Sequence, residues 1–257
     1  MSHASAGFLQ PDWPAPPGVQ ALMTLRAGGA SAAPFDSFNL SLGVGDEPAA
    51  VQANRLRFLQ CVVARPTWLR QVHGSDVLQI SGDTPEHPQQ PFDAAWTSEP
   101  GLACMVSAAD CMPVLFATRD GSAVGAAHAG WRGLAGGVVE ATLGAICEGL
   151  GVPPADVQVW LGPCIGPRQF EVGAEVLQAF GHNPARPDLA YFVPHARPDG
   201  SARWLANLRA LACLRLQAAG VQHISADGSC TVEDPSRFFS YRRDSRTGRM
   251  VAAIWRA

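Results

Sequence analysis

The chain has 257 residues, 47% hydrophobic and 16% charged, with a net charge of −3. That balance describes a folding globular chain and leaves no electrostatic footprint for nucleic acid or an anionic membrane. All 19 basic residues are Arg, which excludes Schiff-base catalysis, a Walker A loop and Ser-x-x-Lys hydrolysis, because each needs an amine.

The seven Cys are scattered at 61, 104, 111, 147, 164, 213 and 230 without a C-x-x-C pair. They read as free thiols of a reducing compartment. The N-terminus has neither a basic n-region nor an apolar h-region, and no run of 18 apolar residues occurs. A cytoplasmic protein is expected, acting as a monomer or small homo-oligomer.

In chain order, residues 1–18 are Pro-rich and expected to form an extended lead-in, with 19–257 as one compact domain. A helix is expected near Asp46-Glu47-Pro48, from a capping carboxylate, Pro in the first turn and Val51, Phe58, Leu59 and Val62 at helical spacing. Val77–Ile80, Ala103–Ser107, Met112–Ala117 and Ala123–Ala127 are continuous apolar runs, which predicts strands covered on both faces. Val139, Leu143, Ile146 and Leu150 mark one face of a helix over 133–150 that Gly151 ends. Val157–Leu161 predicts a strand, Trp204–Ala219 a helix closed by Gly220, and Met250–Trp255 a final strand. The Pro-rich stretches Thr84–Phe92 and Asn183–Asp188 read as loops. This irregular alternation argues for a mixed sheet with covering helices.

Three segments each place one soft or nitrogenous ligand at the end of an apolar run, beside Gly or Asp. They are Gln71-Val72-His73-Gly74, Ala109-Asp110-Cys111-Met112-Pro113 and His128-Ala129-Gly130-Trp131-Arg132-Gly133. If Cys111 and His128 end neighbouring strands, both emerge at one sheet edge. One thiolate and two imidazoles suit Zn²⁺, copper would accept the same set, and a fourth position stays open. Against this stands the commoner fate of a lone Cys as a small buried hydrophobe and of a lone His as a surface or satisfied core residue. His3, His87, His182, His195 and His223 sit in polar or Pro-rich surroundings and receive that plainer reading. Arg132, beside the glycines at 130, 133, 136 and 137, and Arg26 in Arg26-Ala-Gly-Gly-Ala-Ser31, lie next to flexible backbone where an anion could bind.

Taken in order, these segments resemble the YfiH/YlmD family, also called the laccase-domain or polyphenol-oxidase-like family. The resemblance begins at Arg26-Ala-Gly-Gly-Ala-Ser31 and runs through Phe38-Asn39-Leu40-Ser41, Gly45-Asp46, Asn54-Arg55 and Gln71-Val72-His73-Gly74. It continues through Asp93-Ala94, Ala109-Asp110-Cys111-Met112-Pro113, His128-Ala129-Gly130-Trp131-Arg132-Gly133 and Gly162-Pro163-Cys164-Ile165-Gly166. It closes with Phe239-Ser240-Tyr241-Arg242-Arg243-Asp244 and Thr247-Gly248-Arg249.

The resemblance implies an α+β fold: a layered α/β/β/α sandwich with mixed sheets, akin to the catalytic domain of cytotoxic necrotizing toxins. It also implies a zinc enzyme with ligands His73, Cys111 and His128. The activities it implies are phosphorolysis of adenosine, inosine, guanosine and methylthioadenosine, deamination of adenosine, and phenol oxidation with copper loaded. Amide hydrolysis in the editing of peptidoglycan precursors is a further alternative, for which Cys111 and His128 would act as nucleophile and base. The expected partners are a purine nucleoside and phosphate. From chemistry and position, Asp110 is expected as a supporting or acid–base carboxylate, Arg26 and Arg132 at phosphate, and Asn39 at the substrate.

Overall fold

The computed structural model describes residues 7–257; His3 lies outside them. Two mixed sheets stack at its centre. The larger has six strands in the order His223–Ala226, Val157–Leu161, Met112–Thr118, Val124–Ala129, Ala94–Thr97 and Val77–Gln79. The other has five, in the order Phe8–Leu9, Val19–Thr24, Met250–Arg256, Leu102–Ala108 and Arg65–Pro66.

Alternate side chains of each central strand enter different cores, which is why the sequence shows unbroken apolar runs. From Met112–Thr118, Met112, Val114 and Phe116 face helices α3 (Val138–Leu150) and α5 (Leu208–Ala218), while Leu115 and Ala117 face the second sheet. The second sheet presents Cys104, Val106, Ala252 and Ile254 to that shared core. Its other face carries Ala103, Met105, Val251, Ala253 and Trp255 against Phe38, Leu40 and Phe58, the last from α1 (Pro48–Leu59). Helix, sheet, sheet and helix thus follow one another as the expected α/β/β/α sandwich.

Three local expectations need correction. The segment 133–150 is two helices, α2 (Trp131–Ala135) and α3, because Gly136 caps the first and Gly137 has φ +95°, outside helical geometry. Trp204–Ala206 is a strand, with Trp204 and Ala206 buried, paired to Glu171–Val172 and Phe192–Pro194. The helix begins only at Leu208, where the Asn207 side chain accepts the Ala210 N–H at 3.1 Å. At α1 the Pro does sit in the first turn, but Glu47 makes no side-chain cap, and Asp46 instead accepts bonds from Ser31 and Asn39. Within the Pro-rich lead-in, Phe8–Leu9 pair with Met23–Thr24 and so form the edge of the second sheet.

Candidate metal centre

Register brings the ligands together. Met112–Thr118 and Val124–Ala129 are antiparallel neighbours with Pro113 opposite His128, so Cys111, one residue ahead of its strand, lies at the edge where His128 emerges. His73 comes from a loop that holds φ +63°, an unfavourable conformation for a side chain with a Cβ.

Asp93 is what holds it. Its Oδ1 accepts the His73 N–H at 2.9 Å, and Oδ2 accepts those of Val72 at 2.9 Å and Gly74 at 2.8 Å. The same carboxylate bonds His128 Nδ1 at 2.8 Å, while the His128 N–H donates to the Asp93 carbonyl at 2.7 Å. One fully buried residue therefore aligns both imidazoles. With Nδ1 donating to Asp93, His128 presents Nε2 to the cluster.

Each of His73, Cys111 and His128 offers a ligand atom, all within 4.8 Å of one another. Cys111 Sγ lies 3.7 Å from His73 Nε2, and the two rings meet edge to face with centroids 4.8 Å apart. Among the described residues this is the only His/Cys/Asp/Glu group of at least three so arranged. A soft thiolate with two borderline nitrogens fits Zn²⁺ or copper, and three protein ligands leave a fourth vertex open. Gly130 makes room, since a Cβ there would come 2.9 Å from both Cys111 Sγ and the His73 ring.

Charge follows from the same contacts. Burial pushes the Cys111 thiol up, but the adjoining His128 and His73 outweigh it and bring it to about 6. Burial pushes His128 down, but Cys111 and Asp93 outweigh it and raise it to about 9. Cys164, buried without such partners, is pushed up to about 12, so proximity to imidazole singles out Cys111.

The trio opens into a cleft of about 820 Å³. Its walls include Arg55, Arg70, His87, Ser107, Tyr241 and Arg249 together with His73, Cys111 and His128. A smaller apolar pocket of about 170 Å³ shares Ala109, Cys111 and Tyr241 with it and is lined by Trp131, Ile165, Phe170 and Leu208.

The other expected site residues lie around this centre in different ways. Asp110, with φ +89°, accepts Thr231 Oγ1 and the Arg242 N–H, each at 2.6 Å, which ties the Cys111 turn to α6 (Tyr241–Asp244). Asn39 is buried and spends its carboxamide on Ser41, Asp46 and the Arg249 N–H. It touches the cleft only through Ser41 and Arg249. Arg26 pairs with Asp36 at 3.1 Å and Asp244 at 3.8 Å, and Arg132 stacks on Trp131 at 4.3 Å; neither lines the cleft. Asp93, Arg55 and Arg249 carried no assigned role from sequence, although each lies in a motif of the resemblance.

A layered α/β/β/α protein with an open His–Cys–His cluster at a sheet edge is thus defined. A family described as multi-copper polyphenol oxidoreductase laccase matches residues 20–257. A purine nucleoside phosphorylase of Pseudomonas aeruginosa is 50% identical over 252 residues, covering 96% of this chain and 98% of the relative. The purine nucleoside phosphorylase YfiH of Escherichia coli is 44% identical over 250 residues, covering 96% and 98%. Among solved structures, YlmD of Geobacillus stearothermophilus superposes with a TM-score of 0.87 at 32% identity, covering 100% of this chain and 98% of that one. Neisseria meningitidis NMB0706 gives 0.86 at 43%, covering 97% and 99%. The chain belongs to this laccase-domain family, that of YfiH and YlmD.

Proposed function

We propose that the protein is a zinc-dependent purine nucleoside phosphorylase acting on adenosine, inosine, guanosine and methylthioadenosine in the cytoplasm, with adenosine deamination as an accompanying activity. The observation that carries this reading is the convergence of His73, Cys111 and His128 on one centre in the wall of a cleft of about 820 Å³, in a chain whose relatives are named purine nucleoside phosphorylases. No helix is long and apolar enough to cross a membrane among the described residues.

Bound by those three residues, Zn²⁺ supplies Lewis-acid polarisation and charge stabilisation; Cu²⁺ fits the same donors. Asp93 fixes the His128 tautomer and the His73 loop, so the donor set is organised before substrate arrives. In phosphorolysis a phosphate oxygen bonds to the anomeric carbon while the bond to the purine nitrogen breaks. The electron pair leaves with the base, which takes the proton of hydrogen phosphate. In deamination a water oxygen bonds to C6, and ammonia departs with the displaced electron pair and a proton.

A second reading has a specific observation behind it. Cys111, His128 and Asp93 also form a nucleophile–base–orienter series, suited to amide hydrolysis. Metal analysis of protein purified without added metal, then a nucleoside panel with and without phosphate, separates the two. We expect about one zinc per chain, with hypoxanthine and ribose 1-phosphate formed from inosine only when phosphate is present. Failure of zinc-replete protein to turn over any purine nucleoside overturns the first reading. Activity that survives chelation but not thiol alkylation supports the second.

A further inference from the structure

We propose that the cleft holds inorganic phosphate between the guanidinium groups of Arg249 and Arg55, an assignment that rests on the phosphorolysis reading. The residues lining the cleft include Arg55, Arg70, Arg249, His73, His87 and His128 but no Asp or Glu. Within a chain of net charge −3, this wall is a local reversal of sign.

The two arginines are built in by backbone, with no carboxylate of the described residues within 4.0 Å of either. Arg55 Nε donates to the Leu40 carbonyl at 3.0 Å, and its guanidinium lies over the Trp68 ring at 3.7 Å. Arg249 Nη1 donates to the carbonyls of Thr247 and Gly248 at 2.9 and 3.0 Å. Leu40 joins them, since its N–H also donates to the Arg249 carbonyl at 3.4 Å, and Asn39 Oδ1 accepts the Arg249 N–H at 2.9 Å. Arg26, Arg168, Arg197, Arg215, Arg237 and Arg243 all pair with carboxylates within 4.0 Å; among the described residues Arg55 and Arg249, like Arg70 of the same cleft, have no such pair.

A partly buried, unpaired cation is costly, and the guanidinium fork matches two oxygens of a tetrahedral anion. Burial lowers the proton affinity of both groups and outweighs the more distant charges of Glu86 on Arg55 and of Cys111 and Asp110 on Arg249. Arg249 is also within electrostatic reach of Cys111, and its guanidinium lies 5.8 Å from the Tyr241 ring centroid. An anion held there would face the same cleft as the metal ligands, where it can meet the anomeric carbon.

The test is phosphate titration by calorimetry on zinc-loaded protein, run beside steady-state kinetics with inosine, for wild type, Arg249→Gln, Arg55→Gln and Arg249→Lys. Arg186→Gln, on an exposed loop, controls for loss of one positive charge. Each Gln variant should bind phosphate about 10- to 100-fold more weakly and raise KM for phosphate by the same factor, with KM for inosine within about 3-fold. Arg249→Lys keeps the charge without the fork and should lose at least about 5-fold; if the Gln variants fail to fold, this variant decides. Unchanged phosphate affinity and KM in Arg249→Lys and in every folded Gln variant overturn the assignment while leaving phosphorolysis standing. Arginine-dependent phosphate binding by a wild type that cleaves no nucleoside does the reverse: the anion site stands and the phosphorolysis reading falls.

Discussion

Replacing Asp93 by Asn isolates what one carboxylate does for the metal centre, because volume is kept while two acceptors become one acceptor and one donor. The native group receives four hydrogen bonds of 2.8–2.9 Å, two on each oxygen. If the Asn oxygen faces Val72 and Gly74, its NH₂ faces the His73 N–H and His128 Nδ1. His128 must then accept at Nδ1 and carry its proton on Nε2, the nitrogen aimed at the metal. In the opposite orientation the Val72 and Gly74 N–H groups lose their acceptor, and the His73 N–H bond alone is left to hold the loop at φ +63°. Either way two charge-assisted bonds are lost, at about 1.5–3 kcal/mol each, so the metal-free variant should be less stable by about 3–6 kcal/mol. Zinc affinity, measured by competition with a chromophoric chelator, should fall about 10- to 100-fold. A folded Asp93→Asn variant that binds zinc within about 3-fold of wild type refutes the reasoning.

Four further outcomes follow from the same coordinates. In metal-free protein at neutral pH, iodoacetamide should modify Cys111 ahead of Cys104 and Cys164, and zinc should protect it; peptide mass spectrometry reads this directly, since burial holds the other two thiols protonated. Gly130→Ala puts a methyl group 2.9 Å from Cys111 Sγ and should cost zinc stoichiometry while leaving the far-UV spectrum unchanged. Gly149→Ala would press a Cβ into the buried Trp96 ring, and thermal unfolding should report about 1–3 kcal/mol lost to overpacking, without loss of zinc. Asn207→Ala removes the α5 cap and should cost about 1 kcal/mol on the same measurement.

What the sequence made legible was set by how local the signal was. The central strands could be read because both faces are buried, so runs such as Met112–Thr118 carry no polar interruption. Trp204–Ala206 misled because a three-residue strand abuts a helix, and only Asn207 marks the junction. Cys111 and His128 could be joined by imagining adjacent strands, a guess that the Pro113–His128 register makes good. Asp93 could not be given its role that way. Its bonds run to residues 19 or more positions away, and an Asp before an Ala-rich strand looks like any turn residue. Arg55 and Arg249 were obscured for a related reason: what marks them is partial burial in the cleft wall with no carboxylate of the described residues within 4.0 Å, a property of folded space alone.

The placement of carboxylates bears on which chemistry the cleft favours. Asp93 stands behind the imidazoles, fully buried, where it serves orientation, and Asp110 is committed to Thr231 and the Arg242 backbone. Neither is free to take a proton from a water in the cleft, as hydrolytic deamination asks of a general base. Phosphorolysis makes no such demand, because hydrogen phosphate brings both the nucleophilic oxygen and the proton that the departing base needs. A cleft lined by cations and stripped of carboxylates suits a substrate that carries its own base. Phosphorolysis should therefore outrank deamination. With adenosine as substrate, raising phosphate should shift product from inosine to adenine, and an inosine yield indifferent to saturating phosphate would show that the proton acceptor lies elsewhere.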